Sequence, residues 1–196
     1  MTEKQAEKLR EKIKRIRLDL AADKKRWGGF FDDSRGLRYL PTQYYIKLCD
    51  FDGGLKYLKW FDKNFPDDSG FPDFLFEWTI ILFKTDNMKS AEKKAFETYC
   101  SNIYIFDKFF GRPVIPIDKY EESNFDNPAF VDAFTYSNSH ADLIEFSSWL
   151  DNFTKTEKFV EASQKFVDIY KLLKTENRTE KRRNLIRQAG QLAEQF

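Results

Sequence analysis

Residues 50–68 read DFDGGLKYLKWFDKNFPDD. The pair Gly53-Gly54 suits three roles: cradling a phosphate, marking a turn, or letting two helices touch. The residues that follow choose among them. A Walker-type loop needs a preceding strand and Gly-Lys-Ser/Thr, whereas Leu55-Lys56-Tyr57 comes next. A dinucleotide fingerprint needs a third glycine at fixed spacing, and none follows. Leu55, Leu58, Phe61 and Phe65 instead recur at steps of three, three and four, as one buried helix face requires. The stretch predicts a helix that stops at Pro66, with Gly53 in its first turn and Gly54 at a close contact. On that placement a bulky residue at Gly54 destabilises the fold, and Gly53→Ala is nearly neutral or mildly stabilising.

Working outward, the rest of the chain fits the same class. Its 196 residues hold 21 Phe, 9 Tyr and 4 Trp but only 8 Gly and 6 Pro. That load predicts a packed, all-α domain of long helices rather than many short strands. Ala6, Leu9, Ile13, Ile16 and Leu20 form one stripe on a helix over residues 1–27. A short helix begins near Pro41, and FPDFLFEWTIILFKTDN and MKSAEKKAFETYCSNIYIF give two more. Residues 105–141 are an irregular segment, with a long irregular loop over 111–126, of a length that is often functional or partly mobile, and a short helix near Pro128. HADLIEFSSWLDNF, with Ser139 as cap, and FVEASQKFVDIYKLLKT make a further pair, and a basic helix fills 178–196.

The breaks between paired helices share a register. Asp50-Phe51-x-x-Gly54, Asn87-Met88-x-x-Ala91 and Lys158-Phe159-x-x-Ala162 each run polar, apolar, two others, small. The small residues are 37 and then 71 residues apart, one period and nearly two. A small side chain is needed where two antiparallel helices cross closely. On these residues the units resemble tetratricopeptide-type repeats. The best unit has Tyr45, Asp50-Phe51, Gly54, Leu58 and Pro66 in place. The next keeps Trp78, Leu82, Met88, Ala91 and Ala95, and the last keeps Phe146, Trp149, Phe153, Phe159, Ala162 and Phe166. The resemblance covers residues 38–104 as two units and 142–175 as a third. It departs at Thr42 and Phe61, where the family has small residues, and an irregular all-helical fold is the alternative. The KNFPDD segment and its aromatic flanks also resemble bacterial proteins of uncharacterised type.

The resemblance implies a concave face built from the first helix of each unit, here Tyr39, Gln43 and Lys47, then Phe76, Ile80 and Lys84, then Ser147 and Asp151. It also implies a protein or peptide partner and a role as an interaction module. Arg35, Arg38 and Tyr39 form a second candidate cluster, suited to an anion or an aromatic ligand.

Charge offers another reading. Net charge is +1, yet residues 1–27 carry +5, residues 171–196 carry +4 and the middle carries −8. Basic ends are consistent with solvated capping helices or with nucleic-acid binding through residues 4–26 and 171–187. Chemistry is poorly provided for. His140 is the sole histidine, and with Cys49 and Cys100 far apart no zinc set is expected. No calcium loop is present, and Ser137 and Ser139 beside His140 read as loop and cap rather than nucleophiles. No catalytic residue or cofactor is expected. The charged start MTEKQAEKLREKIKRIRLDL lacks a signal-peptide core, and no run of 18 apolar residues exists. A cytoplasmic protein with two buried free thiols, monomeric or homodimeric, is the resulting expectation.

Overall fold

Local chemistry starts the first helix. In the computed structural model, which describes residues 1–196, the Thr2 hydroxyl accepts from the Gln5 N–H and the Gln5 side chain accepts from the Thr2 N–H. This capping box opens α1 (Glu3–Arg26), whose buried stripe is Ala6, Ile13, Ile16 and Leu20. The structure is all-α, with eight more α-helices and four 3-10 turns and no strand.

Two hairpins follow: α2 (Leu40–Lys47) with α3 (Phe51–Asn64), and α4 (Pro72–Lys84) with α5 (Met88–Ser101). Their turns have the same geometry. Cys49 and Asp86 are the chain's two non-glycine residues with positive φ, at 52° and 56°. Asp50 N–H then donates to the Tyr45 carbonyl and Asn87 N–H to the Leu82 carbonyl, each at 3.0 Å. Equivalent atoms are thus offset by the period read between Gly54 and Ala91. Each turn spends a left-handed residue, unfavourable for an L side chain, to close in three residues.

Gly54 is where the first hairpin meets the second. A Cβ there would lie 3.0 Å from Ile81 Cδ1 and 3.3 Å from Tyr45 Cβ. Ala91 and Ala95 on α5 are fully buried, so small residues mark the close crossings in both hairpins. Gly53 differs from expectation. Asp50 Oδ1 accepts from the Gly53 N–H at 2.9 Å, and a Cβ on Gly53 would stand 2.3 Å from Asp50 Oδ2. Alanine there sets its helix propensity against the N-cap bond, so it is not a free gain.

The third hairpin, α7 (Ile144–Thr154) and α8 (Glu157–Thr175), turns differently. Lys155 has φ −95°, and the Thr156 hydroxyl caps α8 by accepting from Phe159 N–H. Ser139 caps nothing, because a 3-10 turn over Ala141–Leu143 leads into α7, which has no side-chain cap. The last helix, α9 (Thr179–Ala193), packs on α8 and α5. Arg182 from α9 donates to the Leu173 and Glu176 carbonyls, satisfying the C-terminal end of α8.

Residues 105–141 contain more structure than expected: a short helix α6 (Ile105–Phe109) and a 3-10 turn at Asn124–Asp126, besides the short helix expected near Pro128, which is a 3-10 turn over Pro128–Ala133. The 111–126 loop is pinned rather than loose. Tyr120 N–H donates to the Tyr170 carbonyl and Ile117 N–H to the Tyr104 hydroxyl, both at 2.9 Å. Buried Asn102 donates to the Phe125 and Asn127 carbonyls, and Lys174 pairs with Asp118. Cys49 also departs from expectation: it is exposed at the hairpin turn, while Cys100 is partly buried, and both thiols are free.

Candidate functional site

The predicted binding residues are dispersed and mostly engaged. Arg38 donates from Nε to Asp68 Oδ2 at 2.6 Å and from Nη1 to the Asp33 carbonyl at 3.0 Å. Tyr39 donates to the same Asp68 carboxylate at 2.7 Å, and the Arg38 guanidinium lies 4.3 Å from the centre of the Tyr39 ring. Burial opposes ionisation of Asp68, but hydrogen bonds from Tyr39 and Arg38 outweigh it and hold the carboxyl below its ordinary range. Burial, then the bond to Asp68, pushes the Tyr39 hydroxyl up to about 12. This network fastens the chain before α2 to the chain after α3, so Asp68, the last residue of KNFPDD, has a structural job.

Arg35 is exposed, and Lys47 is exposed with only Gln43 of its own helix as hydrogen-bond partner, at 3.3 Å. Lys84 pairs with Glu145 at 3.2 Å. Phe76 corrects the expectation outright: it is 0% exposed, with Phe134, Phe109, Phe146 and Tyr136 rings 4.9 to 5.6 Å away. Ile80 is equally buried. Phe76, which was to line a concave surface, is instead enclosed by later residues of the chain: Phe109 of α6, Phe134 and Tyr136 of the following segment, and Phe146 of α7.

A different surface stands open. Between α1 and α2 runs a groove of about 490 Å³. Ile13, Tyr45 and Leu48 supply apolar lining, Arg10, Lys14 and Arg17 supply cations, and Leu18 and Asp50 complete the edge. Ile13 and Tyr45 pack with Tyr57 as a small core of their own, which holds α1 against the first hairpin. Leu18 remains 61% exposed. Arg10 is bound by Glu3 at 2.7 Å and by Glu7 at 3.3 Å, whereas Lys14 and Arg17 form no ion pair. Burial pushes the Tyr45 hydroxyl up, and the Arg17 charge beside it opposes that rise. Positions 10, 14 and 17 fall on one helix face, so the cation row was readable from spacing. Its pairing with Tyr45 and Leu48 was not, because those come from another helix.

No group of three or more His, Cys, Asp or Glu side chains is placed to hold a metal ion. No helix is long and apolar enough to cross a membrane.

No family model, curated protein or solved structure matches the chain.

Proposed function

We propose that the protein is a non-enzymatic, tetratricopeptide-like interaction module whose α1–α2 groove takes an acidic, partly apolar segment of a protein partner. The observation that carries this reading is the groove's composition: Lys14 and Arg17, free of acidic partners, flank an apolar lining of Ile13, Tyr45 and Leu48. Carboxylates of a partner would meet the cations while its apolar side chains cover Leu18. The two hairpins with matching turns supply a rigid support, consistent with repeat units that present surfaces rather than reactive groups. A cytoplasmic location belongs to the same reading and is supported by the exposed free thiol of Cys49.

Nucleic-acid binding is the second reading, favoured by the exposed cations along α1. Those cations, however, lie on a helix that packs on the first hairpin, while α9 packs on α8 and α5. The two basic ends therefore belong to separate parts of the fold.

A photo-crosslinking amino acid at Leu18, introduced in the native cell, tests the proposal. A discrete protein adduct that disappears in Lys14→Glu/Arg17→Glu supports the groove. An adduct unchanged by that charge reversal rejects it. Capture of nucleic acid, with affinity falling steeply as salt rises, selects the second reading.

A further inference from the structure

Phe134 and Tyr136 lie against Phe76 of α4, and a chain of hydrogen bonds that starts at Tyr136 fastens this segment there. The Tyr136 hydroxyl donates to Glu77 Oε1 at 2.8 Å. Glu77 Oε2 meets the Thr42 hydroxyl of α2. Thr42 Oγ1 in turn lies 2.9 Å from the Tyr39 carbonyl oxygen. Glu77 is only 7% exposed and Thr42 is fully buried.

Counting protons shows which state of Glu77 this arrangement suits. The Tyr39 carbonyl can only accept, so Thr42 has one proton for two acceptors within reach, that carbonyl and Glu77 Oε2. Both contacts can be hydrogen bonds at once only when Glu77 brings a second proton. With Glu77 as the neutral acid every donor has an acceptor, in one direction: Tyr136 to Glu77, Glu77 to Thr42, Thr42 to the Tyr39 carbonyl. An ionised Glu77 would draw the Thr42 proton away from Tyr39 and place a charge in a water-poor site. The charged and titratable groups facing it are Lys47 on α2, which attracts the anion, Asp73 one turn back on α4, which repels it, and Tyr136. Asp73 Oδ1 is itself buried and without a hydrogen-bond partner, so α4 has little capacity for a second negative charge.

We propose that Glu77 is a proton-operated catch: as the neutral acid it holds the segment around Phe134 and Tyr136 against α4, and on ionisation it loosens that segment from Phe76. Burial pushes the Glu77 carboxyl up to about 7, against the opposing hydrogen bonds from Thr42 and Tyr136. Once the cover lifts, Glu77 returns toward its ordinary value near 4.5. Opening therefore becomes easier as pH rises between those two values and levels off above them.

Amide hydrogen exchange reads this directly. Asn138 N–H donates to the Phe109 carbonyl at 2.9 Å and reports on the cover, while the Ala95 amide inside α5 reports on the core. Exchange at Asn138, divided by its intrinsic rate, should rise at least tenfold from pH 5 to pH 7 relative to Ala95. Glu77→Gln keeps a donor and an acceptor without titrating, so its Asn138 protection should be flat across this range. Tyr136→Phe cuts the cover from Glu77, so its protection should be both low and flat. A flat wild-type profile overturns the catch, as does a rise that persists in either variant. A rise matched in full by Ala95 also overturns it, since the whole fold would then be opening. Should Glu77→Gln fail to show a helical circular dichroism spectrum, the Tyr136→Phe comparison decides alone.

Discussion

Phe76 on α4 and Leu18 on α1 are both large apolar side chains on amphipathic helices, yet the first is 0% and the second 61% exposed. The difference lies in what each helix faces. Opposite Phe76 the chain returns with buried Phe134 and the half-buried Tyr136. Opposite Leu18 nothing returns, and long cations border the groove with their stems along apolar surface and their heads in water. A helix face in this all-α fold is thus closed or open according to whether an irregular segment comes back across it. Helix periodicity alone does not reveal which.

The largest test of this contrast is truncation on each side. Phe76→Ala should cost about 3–5 kcal/mol, as for other buried aromatics. Leu18→Ala should stay within about 0.5 kcal/mol. Chemical denaturation measures both, and similar losses would erase the distinction between the two faces.

Next in size is a pH effect belonging to the closed side only. The Glu77 carboxyl sits at about 7 in the fold and near the ordinary 4.5 when unfolded, so the folded state binds its proton more tightly. Stability is then fully present below about 4.5 and declines as pH rises toward about 7, by roughly 3 kcal/mol, with no further loss above. Burial also pushes Asp73 up to about 6, which acts in the same direction. Denaturation midpoints across pH 4 to 8 should decline in wild type and decline much less in Glu77→Gln. An equal decline in both would remove Glu77 from the account.

Gly54→Leu comes third. Its side chain would drive into Ile81 and Tyr45, and overpacking of that kind costs about 1–3 kcal/mol. A thermal midpoint equal to wild type would show that the two hairpins do not meet there.

The smallest effect compares the hairpin turns. Glycine at Cys49 or Asp86 relieves a left-handed φ at the expense of more unfolded-chain freedom, for a net gain of up to about 1 kcal/mol at both sites. Lys155→Gly, where φ is −95°, should lose stability instead. Opposite signs at Cys49 and Asp86 would mean that the two turns are not equivalent.

Much of the helical framework was legible because its signals are local. Asp50 before Gly54 and Asn87 before Ala91 mark both hairpins with polar break, spacing and small residue together, although only the Asp50 side chain caps its helix. The left-handed turn residues were not legible, since cysteine and aspartate carry no glycine signature. Helix α6 was missed because five residues are too few to show a period. The covered face of α4 was missed for a deeper reason: Glu77 and Tyr136 are 59 residues apart, and nothing local to either announces the other. Site reading suffered likewise, for Arg38 and Tyr39 look available until Asp33 and Asp68 are seen to claim them.

The pinned loop has a consequence for proteolysis. Residues 111–126 hold two basic positions at which a trypsin-like protease would cut, Arg112 and Lys119. Arg112 is followed by Pro113, a bond such enzymes cleave poorly. Lys119 is 7% exposed, its ammonium turned to the Tyr120 and Asp126 carbonyls and its neighbour's backbone bonded to Tyr170. Light digestion of the native protein should therefore leave this longest irregular stretch intact and take its first cuts elsewhere. A fragment boundary at Lys119 would instead date the moment at which Tyr120 lets go of α8.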